Sequence, residues 1–154
     1  MPHPATRLAL LMLAGPLVAQ LPAIPVQAQP RAHTLVADQQ RGFVLQPAEA
    51  PVSGSVSLVR QGSRHQLVLS PDFRTTNQAP DLHVVLTKGR APLRQSPPPA
   101  YPLAADSYRY IAPLQAISGA QTYLLPEDLD LTTYGSVVIW CRRYNASMAW
   151  APIR

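Results

Sequence analysis

Eighteen prolines interrupt this 154-residue chain, and they constrain its fold more than any other feature. A proline inside a helix removes a backbone hydrogen-bond donor and clashes with the preceding turn, so long helices are not expected. Short β-patterned segments alternate with turn signals between the prolines. Seven to eight such strands at this spacing predict an all-β fold, a single antiparallel β-sandwich or barrel-like domain.

Alternating apolar residues indicate where the strands lie. Gly54 to Ser70 is predicted to form a hairpin that turns at "QGSR", and "DLHVVLTKG" is the next strand. The segments "YRYIAPL" and "QTYLLP" flank Ser118–Gly119 and are predicted to form a second hairpin. The segment "SVVIWC" is apolar on both faces, and "SMAWAPI" is predicted to pair back with it across "RRYNAS".

Two further segments are not predicted to be strands. The proline-rich "APLRQSPPPAYPL" cannot pair in the centre of a sheet, because proline donates no hydrogen bond to the ladder. The segment "PEDLDLTTY" is expected to hold one helical turn that starts at Pro126, since proline is favoured at the first helical position and acids in the first turn.

The amino terminus is typical of a signal peptide. Arg7 precedes the apolar run "LALLMLAGPLVA", which is shorter than the roughly 20 residues that a membrane span needs. The residues "VQA" that end at Ala28 fit the small-x-small pattern of a cleavage site. An uncleaved amino-terminal anchor is the alternative.

These features predict three regions. Residues 1–28 are the signal peptide, residues 29–51 a flexible, disordered proline-rich tail, and residues 52–154 the β-domain. The mature protein is then expected to be exported to the periplasm, the extracellular space or the cell envelope, with no integral membrane span.

Charge and motif content exclude several function classes. The formal net charge is +5, but the basic residues are scattered and do not form the clustered stripe that nucleic-acid binding needs. No motif of a hydrolase, nucleotide-binding protein or metalloprotease is present, so the sequence does not identify the protein as an enzyme. The histidines lack metal-ligand spacing, and none follows Cys141 as a blue-copper site would require. No recognisable motif for binding a cofactor is present, so the sequence does not name a cofactor.

Cys141 is the only cysteine of a chain that is expected to be exported, so it has no internal disulfide partner. Three interpretations remain open: a buried structural thiol, a disulfide to a second copy, or a redox-active thiol. Arg142 and Arg143 follow directly, and a nearby cation favours the thiolate. Most of these alternatives leave the protein a monomer, and one predicts a Cys141-linked dimer.

Three segments together resemble a known family. The residues of "APDLHVVLTKG", then "SGAQTYLLP", then "YGSVVIWCRRYNASMAWAPI" occur in the order found in the DM-thirteen (DM13) domain family. The most specific element is the Trp140–Cys141 pair after a β-branched run. The resemblance covers roughly residues 52–153, nearly the whole of the expected β-domain. It departs from the family near the end, where Tyr144 and Met148 stand in a region that tends to carry phenylalanine.

The resemblance implies a compact β-sandwich and a role in electron transfer centred on the family's cysteine, here Cys141. An electron-transfer module that does not turn over a substrate is then the alternative to an enzyme. Trp140, Asp81, Tyr123 and His83 are then expected to shape the surroundings of the thiol, and a redox partner protein is expected. The thiol should be at least partly accessible if it is reactive. The alternative is a non-catalytic binding or structural module of the cell envelope, in which the cysteine is part of the core.

Overall fold

The computed structural model describes residues 42–154, and these residues form nine β-strands. The strands are β1 Phe43–Val44, β2 Gln46–Pro47, β3 Ser55–Gln61, β4 Arg64–Leu69, β5 Leu82–Thr87, β6 Tyr108–Pro113, β7 Gln121–Leu124, β8 Ser136–Cys141 and β9 Ala146–Pro152. The predicted signal peptide and residues 29–41 of the predicted tail lie outside the described residues, so both stay predictions.

The strands form two antiparallel sheets, which confirms the predicted fold class. One sheet has the order β1-β3-β4-β7, and the other has the order β2-β9-β8-β5-β6. Apolar residues of both sheets share one buried cluster, to which Val56 and Leu67 contribute from the first sheet and Val84 and Ile139 from the second. Because one core lies between two facing sheets, the architecture is a β-sandwich.

The β-domain begins earlier than the sequence predicts. The segment assigned to a flexible tail contains β1, which pairs with β3, and β2, which pairs with β9. Leu45 is 4% exposed and Ala50 is 6% exposed, so this segment contributes to the core. The prediction was wrong for residues 43–50 because strands of two residues are too short to show periodicity.

The predicted second hairpin is also wrong. β6 pairs with β5 in the five-stranded sheet, whereas β7 pairs with β4 in the four-stranded sheet. The chain between them crosses from one sheet to the other, and the backbone N–H of Gly119 donates to the carbonyl of Phe73 along the way. Local alternation cannot distinguish a hairpin from such a crossing, because both place a glycine-containing turn between two strands. The other two predicted pairings, β3 with β4 and β8 with β9, are confirmed.

Two loops contain short 3₁₀ turns, and the first of these loops reaches the functional site. The proline-rich segment contains a 3₁₀ turn at Pro92–Gln95, and it brings Leu103 onto the outer face of the five-stranded sheet. The predicted helical turn is a 3₁₀ turn at Leu131–Thr133, where Asp130 and not Pro126 marks the start by accepting a hydrogen bond from a backbone N–H. Within residues 42–154, no helix is long and apolar enough to cross a membrane.

Candidate functional site

Three neighbouring strands bring aromatic and ionisable side chains together on the outer face of the five-stranded sheet. β5 lies between β6 and β8, and His83 of β5 is directly opposite Trp140 of β8. Val85, two residues further along the same face, is opposite Tyr110 of β6. Successive side chains alternate between the two faces of a strand, so His83, Tyr110 and Trp140 point the same way.

A chain of hydrogen bonds joins the side chains of four residues on this face: Tyr110, His83, Asp81 and Arg142. The Nδ1 atom of His83 lies 3.0 Å from the Tyr110 hydroxyl, and its Nε2 atom lies 2.6 Å from Oδ1 of Asp81. The other carboxylate oxygen of Asp81 accepts a hydrogen bond from Nε of Arg142 at 3.0 Å. The hydrogen bond from His83, assisted by that from Arg142, lowers the pKa of Asp81 below its ordinary value, so the carboxylate is ionised at neutral pH.

The ionised Asp81 determines how His83 uses its ring nitrogens. A carboxylate can only accept, so the Nε2 atom of His83 carries the proton and donates it. In a neutral imidazole the Nδ1 atom is then an acceptor, and the Tyr110 hydroxyl donates to it. The His83 side chain is 5% exposed, so little water competes for these bonds. The arrangement can move a proton between a phenol and an imidazole without involving solvent.

Trp140 extends this group into a shielded aromatic cluster. Its ring centroid lies 5.0 Å from that of Tyr108 and 6.5 Å from that of His83. Its indole N–H donates to the side-chain oxygen of Asn145 at 3.0 Å, and the Asn145 amide also bonds to both backbone groups of Leu103. Asn145 has a φ of 46°, a left-handed conformation that asparagine tolerates better than most residues. It therefore clamps the proline-rich loop over the tryptophan.

Cys141 lies on the opposite face of the same strand. It is 0% exposed and belongs to the apolar cluster between the sheets. The expectation of a partly exposed thiol is wrong, because alternation along β8 directs this side chain inward. Cys141 is nevertheless one of the residues that line a surface pocket of about 200 Å³, together with Tyr144 and Met148.

The two arginines after Cys141 have other partners. Arg142 is hydrogen-bonded to Asp81, and the Arg143 guanidinium lies 5.7 Å from the centroid of the Tyr144 ring. The sequence indicated these cations as a means of favouring the thiolate. The contact of Arg142 instead connects the strand end to the hydrogen-bond chain on the outer face, whereas the contact of Arg143 is with the Tyr144 ring.

Tyr123 lies apart from the other predicted site residues. It is on β7 in the four-stranded sheet, and its hydroxyl donates to the side-chain oxygen of Gln121 and accepts from the backbone N–H of Gln115. Burial raises the pKa of Tyr123. The structure thus brings together Asp81, His83 and Trp140, and it leaves Tyr123 in a separate amide network.

Sequence reasoning missed Tyr108, Tyr110 and Asn145 as members of the site. The alternating "YRY" that starts β6 was a usable signal, because it places two tyrosines on one face of a strand. Nothing local indicated that this face adjoins β5. Among residues 42–154, no group of three histidine, cysteine or acidic side chains is arranged to hold a metal ion.

Comparison with known proteins is consistent with this architecture. The family model described as "Electron transfer DM13" matches residues 44–153. The match starts within β1, in agreement with the early start of the domain in the structure. No curated protein and no solved structure matches the chain. Since the family model spans well over half of the sequence, this chain belongs to the DM13 family of electron-transfer domains.

Proposed function

We propose that this protein is an exported electron-transfer domain in which Cys141 exchanges an electron with a redox partner protein. The observation that carries the proposal is the position of Cys141, which is buried in the core and yet is one of the residues that line a surface pocket. A redox group in such a place is protected from large reagents but separated from the surface by few side chains. Export rests on the signal-peptide pattern of residues 1–28.

The exchange is a one-electron step. The S–H bond of Cys141 breaks, the electron passes to an acceptor group on the partner protein, and the proton leaves to water that enters the pocket. Return of one electron and one proton restores the thiol. Tyr144 is 62% exposed and lines the pocket, so its side chain can move without disturbing the core. We expect such movement to control access to the sulfur.

Thiol labelling tests this access. The full chain is treated with a small reagent, iodoacetamide, and the labelling rate is compared with the rate of global unfolding. We expect labelling of the native protein to exceed the unfolding rate, and to rise further in Tyr144→Ala. Leu124→Ala is the matched control, since it removes another exposed side chain, 50% exposed, from the other sheet. Labelling only at the unfolding rate in all three proteins would contradict the proposal.

Electron transfer is tested separately with ferricyanide. The wild-type chain should reduce more ferricyanide than Cys141→Ala does, by one electron per thiol oxidised. Equal reduction by the two proteins would show that the thiol is not the donor. The mature amino terminus, read from protein purified after secretion, should begin after Ala28, and retention of the leader would contradict cleavage.

The second candidate function is a non-catalytic binding or structural module of the cell envelope. It is favoured by the complete burial of Cys141, which suits a small apolar core residue. It predicts no labelling before unfolding and no change in ferricyanide reduction on removal of the thiol. A Cys141-linked dimer requires the sulfur at the surface, so we expect a monomer on a non-reducing gel.

A further inference from the structure

We propose that Tyr110 is a second redox centre, at which oxidation of the phenol is coupled to transfer of its proton to His83. This site is on the outer face of the five-stranded sheet, whereas Cys141 lies on the inner face. It therefore stands independently of the role proposed for the thiol. The oxidant of Tyr110 in this proposal is an external one-electron acceptor of high reduction potential.

The geometry gives both the electron and the proton of the oxidation a destination. The phenolic O–H bond breaks, the electron leaves to the external acceptor, and the proton crosses the 3.0 Å hydrogen bond to Nδ1 of His83. The products are a neutral phenoxyl radical and an imidazolium. The positive charge of the imidazolium faces the Asp81 carboxylate, whose Oδ1 lies 2.6 Å from Nε2. Return of the electron reverses both transfers.

A hydrogen-bonded base matters because an oxidised phenol that keeps its proton carries a full positive charge. Removal of the proton in the same step avoids that charged species and lowers the barrier, as a positioned general base does. The imidazolium is stabilised in turn because the Arg142–Asp81 pair keeps the carboxylate ionised and oriented. The buried cluster that contains Cys141 consists, among the described residues, of hydrophobic side chains and includes no imidazole.

Tyr110 is distinguished from the other five tyrosines of the chain. Its hydroxyl is hydrogen-bonded to an imidazole, and no other tyrosine among the described residues has such a partner. The buried Tyr123 donates to an amide oxygen of Gln121, which cannot accept a proton at neutral pH. Tyr144 is 62% exposed and its proton can leave only to bulk water.

The position of Tyr110 gives an acceptor a way to approach. β6 is an edge strand of its sheet, and Tyr110 is 41% exposed while its base is 4% exposed. The acceptor can thus reach the ring without contacting His83. On the same outer face, Trp140 and the half-buried Tyr108 continue the aromatic cluster, with ring centroids 5.0 Å apart.

Photo-oxidation of the full chain tests the proposal. Flash excitation of tris(bipyridine)ruthenium with persulfate generates a one-electron oxidant, and tyrosyl radical is followed by transient absorption and electron paramagnetic resonance. All measurements use a Cys141→Ala background, so failure of the thiol proposal cannot affect them. We compare this background with added Tyr110→Phe, with the matched control Tyr144→Phe, and with His83→Gln, which can accept a hydrogen bond but not a proton.

We expect Tyr110→Phe to abolish the fast radical and Tyr144→Phe to retain it. His83→Gln should slow radical formation about a hundredfold, at the lower end of what a positioned base contributes. If that variant does not fold, the substitution Asp81→Asn, at a partly exposed side chain, replaces it, and radical formation is also measured in heavy water. Radical formation should be slower in both cases.

Three results would overturn the proposal. One is an unchanged fast radical in Tyr110→Phe. Another is a rate that does not respond to heavy water. The third is a radical with the spectrum of tryptophan in place of tyrosine.

Discussion

Replacement of Cys141 by serine tests what surrounds the sulfur. The residue is 0% exposed in an apolar cluster that includes Ile139 of the same strand. Cys141 is a free cysteine, and no side chain or backbone group among residues 42–154 is hydrogen-bonded to its sulfur. A serine hydroxyl in its place would lose its bonds to water without gaining a partner, and such a loss costs about 1–3 kcal/mol in proteins.

Cys141→Ala is the control because it removes the sulfur without introducing a polar group. The small cavity that it leaves should cost about 1 kcal/mol, as for deletion of a single buried carbon. We therefore expect the free energy of unfolding to fall in the order wild type, alanine, serine. A loss of about 2 kcal/mol lowers the Tm of a domain of this size by about 8 °C.

Urea denaturation under reducing conditions measures this order directly. Equal m-values in the three proteins would show that the difference arises from stability and not from the compactness of the unfolded state. A serine variant as stable as the wild type, or more stable than the alanine variant, would refute the reasoning. It would mean that water from the pocket bordered by Tyr144 already solvates the position.

Three further predictions concern the backbone and the outer face. Gly54→Ala should lower the free energy of unfolding by about 2 kcal/mol or more in a melting experiment, because Gly54 has a φ of 92° and a new Cβ would lie 2.7 Å from the Cα of Phe73; an unchanged Tm would contradict this. The hydrogen bond to His83 lowers the pKa of Asp81, so the ionised carboxylate stabilises the fold above the ordinary pKa of 3.8, and this stabilisation is lost as the pH falls through the lowered pKa. Acid denaturation should therefore be steeper in the wild type than in Asp81→Asn, whose amide carries no charge to lose; superimposable curves would count against it. Asn145→Ala should cost about 2–4 kcal/mol, because it combines a left-handed backbone with lost side-chain hydrogen bonds, whereas Asn145→Gly should restore about 1 kcal/mol of that loss; equal stabilities of the two variants would argue against backbone strain.

The strands of the sandwich were predictable where the local pattern decides them. The alternation in β3, β4 and β5 and the β-branched run of β8 follow from which side chains are apolar, and the structure has strands at those places. The start of the domain was not predictable in this way. β1 and β2 are two residues each, and they are strands only because β3 and β9 offer edges to pair with.

The site shows the same division. Asp81 directly precedes β5, and His83 is the second residue of that strand, so the sequence alone places the two side chains close together. Tyr110 is 27 residues from His83 along the chain, and Arg142 is 61 residues from Asp81. No local pattern encodes such separations, because they depend on which strands become neighbours in the sheet.

The sequence by itself predicted an antiparallel all-β domain, sandwich or barrel-like, that resembles the DM13 family and has a single cysteine at the end of an apolar strand. The tertiary structure decided which strands pair and therefore which side of β8 meets which neighbours. Because alternate side chains of a strand face opposite ways, that one decision buries Cys141 in the core. It also places Trp140 beside a hydrogen-bonded pair of phenol and imidazole on the other face.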